Sequence, residues 1–345
     1  MRIAMHLCRL GLAVAMAAFL VAPGAQGQTK TKLVVYSALE ADHIESYRKA
    51  FEADNPDIEI ALIRDSTGVI TARLMAEKER PQGDAIWGLA ITSMALLDAQ
   101  GMLEPFSPRE LSAIKPSFRD PRNPPHWVGI DAWVGAVCLN TAEAAKRNLP
   151  RPQSWRDLLD PVYRGQIVMP NPASSGTGYF HVSAWLQLFG EEEGWKFLDR
   201  LHENVAMYVH SGARPCRMAG AGEFSLAIGY DLSGAQQKQR GAPVDVLLMR
   251  EGSGWDMDAA ALLKGARNAA AARRLMDWAA SRKANELYAK WLPLVAMDGV
   301  AGPVPHYPEN IEATMIRNDF VWASANRARI LAEWQRRYDG KSEPR

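Results

Sequence analysis

Between residues 32 and 100 short β-rich runs alternate with amphipathic helical stretches, and this alternation constrains the fold more than any other feature. Lys32 to Ser37 is β-rich, and Ala41 to Asp54 sets Ile44, Tyr47 and Phe51 at helical spacing before Asn55-Pro56 ends the pattern. Ile58 to Ile63 is the next strand, Val69 to Glu79 the next helix, Asp84 to Trp87 the third strand and Ser93 to Gln100 the third helix. A β-α-β-α-β order implies a largely parallel sheet, because each strand returns through a helix rather than a hairpin. In such sheets ligands sit beyond the carboxyl ends of the strands, where loops enter helices. Three of those ends carry polar or aromatic residues: Ser37 to Glu40, Asp65 to Gly68, and Trp87.

The second half repeats the theme less regularly. Trp127 to Asn140 is a long β-rich run able to cross between two lobes, and Phe224 to Tyr230 is expected to be a second crossing. Strand Gln166 to Met169 leads into Asn171-Pro-Ala-Ser-Ser-Gly-Thr-Gly178, which turns directly into an apolar helical run. A helix N-terminus carries unpaired N–H groups and a partial positive charge, so such a loop suits a phosphate-like anion; alone, it is equally an ordinary Ser/Thr cap. Gly252 to Asp256 reads as a loop before Ala259 to Leu263. Asp319 to Tyr338 reads as a long amphipathic helix packing through Phe320, Trp322, Ile330, Leu331 and Trp334.

Residues 1–27 are expected to be a signal peptide: Arg2 and Arg9 bracket a positive start, Gly11 to Ala22 is apolar but too short to span a bilayer, and Ala25-Gln-Gly27 is a small-x-small cleavage site. The expected mature chain begins at Gln28 and is exported to a periplasm. Of 40 Lys and Arg and 39 Asp and Glu, only Arg2 and Arg9 precede residue 28, leaving 38 basic and 39 acidic side chains and a net charge of −1. No basic excess points to nucleic acid. Cys138 and Cys216 remain after export and are disulfide candidates, two buried free thiols being the alternative. There is no Walker loop, no Gly-x-Ser-x-Gly elbow and no His-Glu-x-x-His, and the seven histidines lack metal-ligand spacing. Neither a cofactor nor a bound metal is expected.

Several segments together carry a resemblance: Tyr36-Ser-Ala-Leu-Glu40, Arg64-Asp-Ser-Thr-Gly68, Trp87-Gly-Leu-Ala90, Val168 to Gly178, Leu201-His-Glu-Asn204, Gly252 to Met257 and Asn285-Glu-Leu-Tyr-Ala289. In that order they resemble the periplasmic solute-binding proteins of ABC importers, and more closely the family that binds 2-aminoethylphosphonate. The resemblance spans the chain from about residue 32 onward. It implies an α/β, two-lobed type II periplasmic-binding-protein fold with a central ligand cleft and lobe-crossing strands. It also implies closure on the ligand, delivery to an ABC permease, and a monomer. The lobes implied are 28–130 and 233–298 for the first and 131–232 for the second, with 299–345 as a C-terminal helical segment on the second. One segment, Gly229-Tyr-Asp-Leu-Ser-Gly-Ala235, keeps the aromatic and the acid of the family pattern at Tyr230 and Asp231 and departs from it at Leu232-Ser-Gly234.

A phosphonate needs several N–H and O–H donors. Expected donors are Ser66, Thr67 and Gly68 from one lobe and Ser174, Ser175, Gly176 and Thr177 from the other, with Ser37 as a third source. The ammonium needs a carboxylate or an aromatic face. Glu40, Trp87, Tyr230, Asp231 and Asp256 are expected at that end or in the cleft wall, with Asp131 and Trp255 as further candidates. Glu40 could instead stabilise a helix N-terminus, the aspartates could cap turns, and the tryptophans could be core. Strand alternation can turn Arg64 outward, so no arginine is assigned. The alternatives are binding of ferric iron or of another small phosphorylated or anionic solute, and an exported phosphonate hydrolase.

Overall fold

β1 (Thr31–Ser37), β2 (Ile58–Arg64) and β3 (Ala85–Ala90) run parallel, as the alternation implies, and the helices Ala41–Asp54, Thr67–Ala76 and Ile91–Ala99 follow them. This computed structural model describes residues 29–300 and 302–344; the expected signal segment and its cleavage site lie outside them. β1 is covered on both faces from Leu33 onward, in keeping with the apolar run Leu33-Val-Val-Tyr36. Leu33 and Val35 pack with Tyr47, Phe51, Trp87 and Tyr288, whereas Tyr36 joins Ile86, Leu89 and Met94 on the other face. Ser37 pairs with Arg64, so β1 and β2 end level and their outgoing loops leave from one edge.

The remaining strands are β4 (Leu103–Glu104), β5 (Val128–Asn140), β6 (Ile167–Pro170), β7 (Val205–Val209), β8 (Leu226–Tyr230), β9 (Val244–Leu247) and β10 (Trp255–Leu263). Their order is β2-β1-β3-β10-β5-β8-β6-β7, with β4 beside β10 and β9 beside β5. β5 is the expected crossing strand. All 13 of its residues are buried. Val128 to Val134 pair antiparallel with β10, and Gly135 to Leu139 pair with β8. Gly135 marks the change of partner: a Cβ there would lie 2.6 Å from the His181 ring, so only glycine lets the helix Gly176–Phe189 approach the strand this closely.

Four expectations are corrected. Phe224 to Tyr230 does not cross: β8 lies inside the second group of strands, between β5 and β6. The chain does not return to the first group at residue 233, because the helix Asp231–Gln239 and β9 stay on the far half of β5. It returns through β10, which begins at Trp255 rather than at Ala259, so Asp256 and Asp258 stand on a strand. The segment 299–345, expected on the second lobe, divides between the two: the helix Phe320–Tyr338 buries Ile330, Trp334 and Tyr338 in the second core beside Tyr179, Trp185 and Phe197, whereas Tyr307, Ile311, Met315 and Phe320 pack in the first core with Met94 and Leu97. Cys138 on β5 and Cys216 on the helix Arg214–Gly220 form a disulfide, with their Cα atoms 5.5 Å apart.

Candidate ligand-binding cleft

The level ends of β1 and β2 and the N-terminus of the helix Gly176–Phe189 meet across a cleft holding about 650 Å³ of empty space, part of it continuous with solvent. Glu40, Ser66, Thr67, Ser175, Gly176, Thr177 and Tyr230, all expected here, line it. Ser66 occupies the N-cap position of the helix Thr67–Ala76 but makes no side-chain cap bond, which leaves its hydroxyl uncommitted. Ser175 caps the opposing helix, its Oγ accepting from Gly178 N at 3.2 Å, and the first amides of that helix lack intrahelical acceptors. The two helix starts are in direct contact: a Cβ at Gly176 would lie 2.7 Å from Thr67 Oγ1, and Gly68 N donates to Ser174 O at 2.8 Å.

Six expected residues sit elsewhere. Ser37 is buried and its Oγ accepts from Leu39 N at 3.2 Å, so it shapes the turn. The Gly68 amide is already taken by Ser174 O, and Ser174 Oγ donates to His210 O at 3.1 Å, away from the cleft. Trp87 is core: its Nε1 donates to Tyr288 OH at 3.1 Å and its ring stands edge-on to Trp278. Asp256 caps the helix Ile91–Ala99, accepting from Ile91 N at 3.0 Å and Thr92 Oγ1 at 2.7 Å. Burial raises its carboxyl to about 6, those bonds opposing the rise. Asp231 lies fully buried behind the wall; its Oδ1 accepts from Leu232 N at 2.8 Å, and burial raises it to about 7.

The cleft also contains residues that the sequence did not assign. Arg64 turns inward, its Nε donating to Leu39 O at 2.6 Å and its guanidinium 3.7 Å from Glu40. Glu40 is further held by Tyr230 OH, which donates to it at 2.9 Å across the cleft. Ser211 and Gly212 form a third Ser-Gly element; a Cβ at Gly212 would lie 2.6 Å from Thr177 Oγ1. The recurrence of Ser/Thr-Gly in 66–68, 174–178 and 211–212 was a usable signal. Asp131, a further candidate for the ammonium end, also lines the cleft, with Asp258, which the sequence did not assign, and Trp133, Leu232 and Leu292. Burial first, then the charge of Asp231, raises Asp131 to about 8. Burial, then Asp131, holds Asp258 well above the usual carboxylate range. Burial lowers the His43 imidazole to about 4, leaving it neutral. Among the described residues no group of three His, Cys, Asp or Glu side chains is arranged to hold a metal ion.

Residues 90–321 match the family model of bacterial extracellular solute-binding proteins. An uncharacterised protein of Haemophilus influenzae is 33% identical over 281 residues, covering 81% of both chains. A probable ABC transporter periplasmic-binding protein, y4fP of Sinorhizobium fredii, is 26% identical and covers 82% of this chain and 79% of its own. Among solved structures, the periplasmic binding protein AfuA of Actinobacillus pleuropneumoniae, with exogenous fructose-6-phosphate bound, superposes with a TM-score of 0.84 at 29% identity, covering 90% of this chain and 99% of that one. The fold is therefore the type II periplasmic-binding-protein fold.

Proposed function

The chain belongs to the family of bacterial extracellular solute-binding proteins, and from that premise we propose that it captures a small organophosphorus anion in the periplasm and delivers it to an ABC permease. The family and fold are those of substrate-binding proteins. The observation that carries the reading is the convergence of two helix N-termini, Thr67–Ala76 and Gly176–Phe189, from opposite sides of one cleft. Their hydroxyls and amides form a neutral donor cup of the kind that phosphate and phosphonate oxygens require. Arg64 supplies the cation at its edge. Donors on both sides make closure and binding one event, since only the closed form satisfies every anion oxygen.

2-Aminoethylphosphonate is the first candidate, because its ammonium would lie toward the carboxylates of the opposite wall. A sugar phosphate is the second reading, favoured by the 29% identity to a protein with fructose-6-phosphate bound. Ferric iron is disfavoured by the donor set, since Tyr230 is the one tyrosine among the lining residues named for the cleft and its hydroxyl is committed to Glu40. Calorimetry on the mature protein with 2-aminoethylphosphonate, fructose 6-phosphate and inorganic phosphate tests the proposal. One-to-one binding of an organophosphorus ligand supports it, and heat with none of them sinks it.

A further inference from the structure

The wall facing the donor cup carries the least expected chemistry in the molecule. Asp131 on β5 and Asp258 on β10 are directly opposite one another in the antiparallel register. Opposed residues share a face, with Cβ atoms roughly 4.5–5.5 Å apart. Asp131 is completely buried, and neither of its carboxylate oxygens has a hydrogen-bond partner among the described residues. Asp258 is half-buried on the cleft side. Asp231 Oδ2 and the hydroxyls of Tyr47 and Tyr307 are also buried without partners among the described residues. No lysine or arginine pairs with Asp131 or Asp258 among the described residues, and the nearest cleft cation, Arg64, is occupied by Leu39 O and Glu40. Buried acceptors left this way are costly, and natural sites place them where a ligand completes the bonds.

We propose that the cross-strand pair Asp131 and Asp258 reads hydrogen-bond donors at the non-anionic end of the ligand, and so selects organophosphorus solutes that carry an ammonium or neighbouring hydroxyls there. This rests on the anion cup described above and names what the cup alone cannot discriminate. Two carboxyls this close do not both ionise, so the pair holds one proton and presents the remaining oxygens as acceptors. An ammonium or a pair of hydroxyls satisfies those oxygens. An alkyl tail would cover them and satisfy none. Trp133, Leu232 and Leu292 frame the pair with apolar surface, which excludes water and raises the cost of a mismatch. Glu40, like Asp131 an earlier candidate for this role, is already bound to Tyr230 and Arg64.

The test measures affinities of the mature protein for 2-aminoethylphosphonate, fructose 6-phosphate and ethylphosphonate, in the wild type and in Asp131→Asn and Asp258→Asn. The wild type is expected to prefer one donor-bearing probe over ethylphosphonate by at least 100-fold, and which of the two it prefers separates an ammonium ligand from a hydroxylated one. Each variant should lower that ratio at least tenfold. Asp258→Asn keeps the test decisive if Asp131→Asn does not fold, because Asp258 is the less buried of the two. Equal affinity for all three probes, or ratios unchanged in the variants, overturns the pair's role while leaving the anion cup standing. Binding of none of the probes overturns both.

Discussion

The two ends of the cleft are built on opposite plans. The donor cup is neutral, made of hydroxyls and amides on three loops, and its parts already bond one another through Gly68 N to Ser174 O and Gly178 N to Ser175 Oγ. The far wall is acidic, made of side chains on two strands, and the Asp131 carboxylate has no hydrogen-bond partner among the described residues. Neutral donors can be organised in advance at little cost, whereas buried carboxylates gain partners only when a ligand arrives. The cup is thus suited to holding an anion common to many ligands, and the wall to choosing among them.

The largest effect is expected at Gly68. A Cβ at this position would lie 2.2 Å from Ala173 O and 2.8 Å from Ser174 Cα, both backbone atoms that have no rotamer through which to yield. Gly68→Ala should hold the two helix starts apart. The expected loss is at least about 3 kcal/mol, or more than 100-fold in affinity, for every organophosphorus ligand alike. Calorimetry reads the loss, and small-angle scattering should show that the ligand no longer compacts the protein. Undiminished affinity would mean that the contact between the loops is not part of the bound state.

Ser175→Ala and Thr67→Ala probe the same end more gently. Each should cost about 1–3 kcal/mol, the value of a hydrogen bond to a charged group. The loss should be the same for phosphonates and phosphate monoesters, because the hydroxyls meet only the shared anion. Titrations with several ligands check this; a loss confined to one ligand would assign the residue to selection instead.

The same contrast explains what the sequence disclosed. The cup was legible because each part is local: a strand end, a Ser/Thr-Gly turn and a helix start lie within a few residues, as at 64–68 and 171–178. The wall was legible only at Asp131, because the pair depends on register. Asp258 becomes a neighbour of Asp131 only through antiparallel pairing of strands 127 residues apart, and with 252–256 read as a loop the strand carrying Asp258 started too late. Trp87 and Asp256 misled for a related reason. The sequence ended the third strand at Trp87, but β3 runs on to Ala90 and the residue lies within it; Tyr288 takes the Trp87 indole N–H, and Ile91 and Thr92 take the Asp256 carboxylate. Arg64 follows Ile63 in strict alternation, but at the last residue of β2 the side chain bends back to Leu39 O.

Stability against pH should separate the two ends without any ligand. Asp131 has a folded pKa raised to about 8, far above an ordinary aspartate. Over the window between its unfolded and folded values the native state therefore binds the extra proton, and stability falls as pH rises. The penalty is complete above about pH 8 and absent below about pH 4. Asp258 and Asp231 are raised as well and contribute in the same direction, whereas the neutral cup contributes nothing. Asp131→Asn should flatten this slope and raise the melting temperature at pH 8 relative to the wild type. Ser175→Ala should leave the slope unchanged. A wild-type melting temperature that climbs from pH 5 to pH 8 by as much as that of Asp131→Asn would deny Asp131 its uncompensated burial.

The smallest effect is expected where the two ends touch. Tyr230 OH reaches across the cleft to Glu40 at 2.9 Å, beside the Arg64 guanidinium. The Glu40 side chain is 29% exposed, so water screens the bond and competes for the carboxylate. Tyr230→Phe keeps the ring that frames the wall and removes only the hydroxyl. It should weaken closure by about 1 kcal/mol, roughly fivefold in affinity, and equally for amino, hydroxylated and plain alkyl organophosphorus ligands. The three affinities measured side by side decide the matter. A uniform drop assigns the bond to closure. A drop confined to the amino ligand would show that freeing Glu40 changes recognition, so that ligand choice extends past Asp131 and Asp258 to the rim where cup and wall meet.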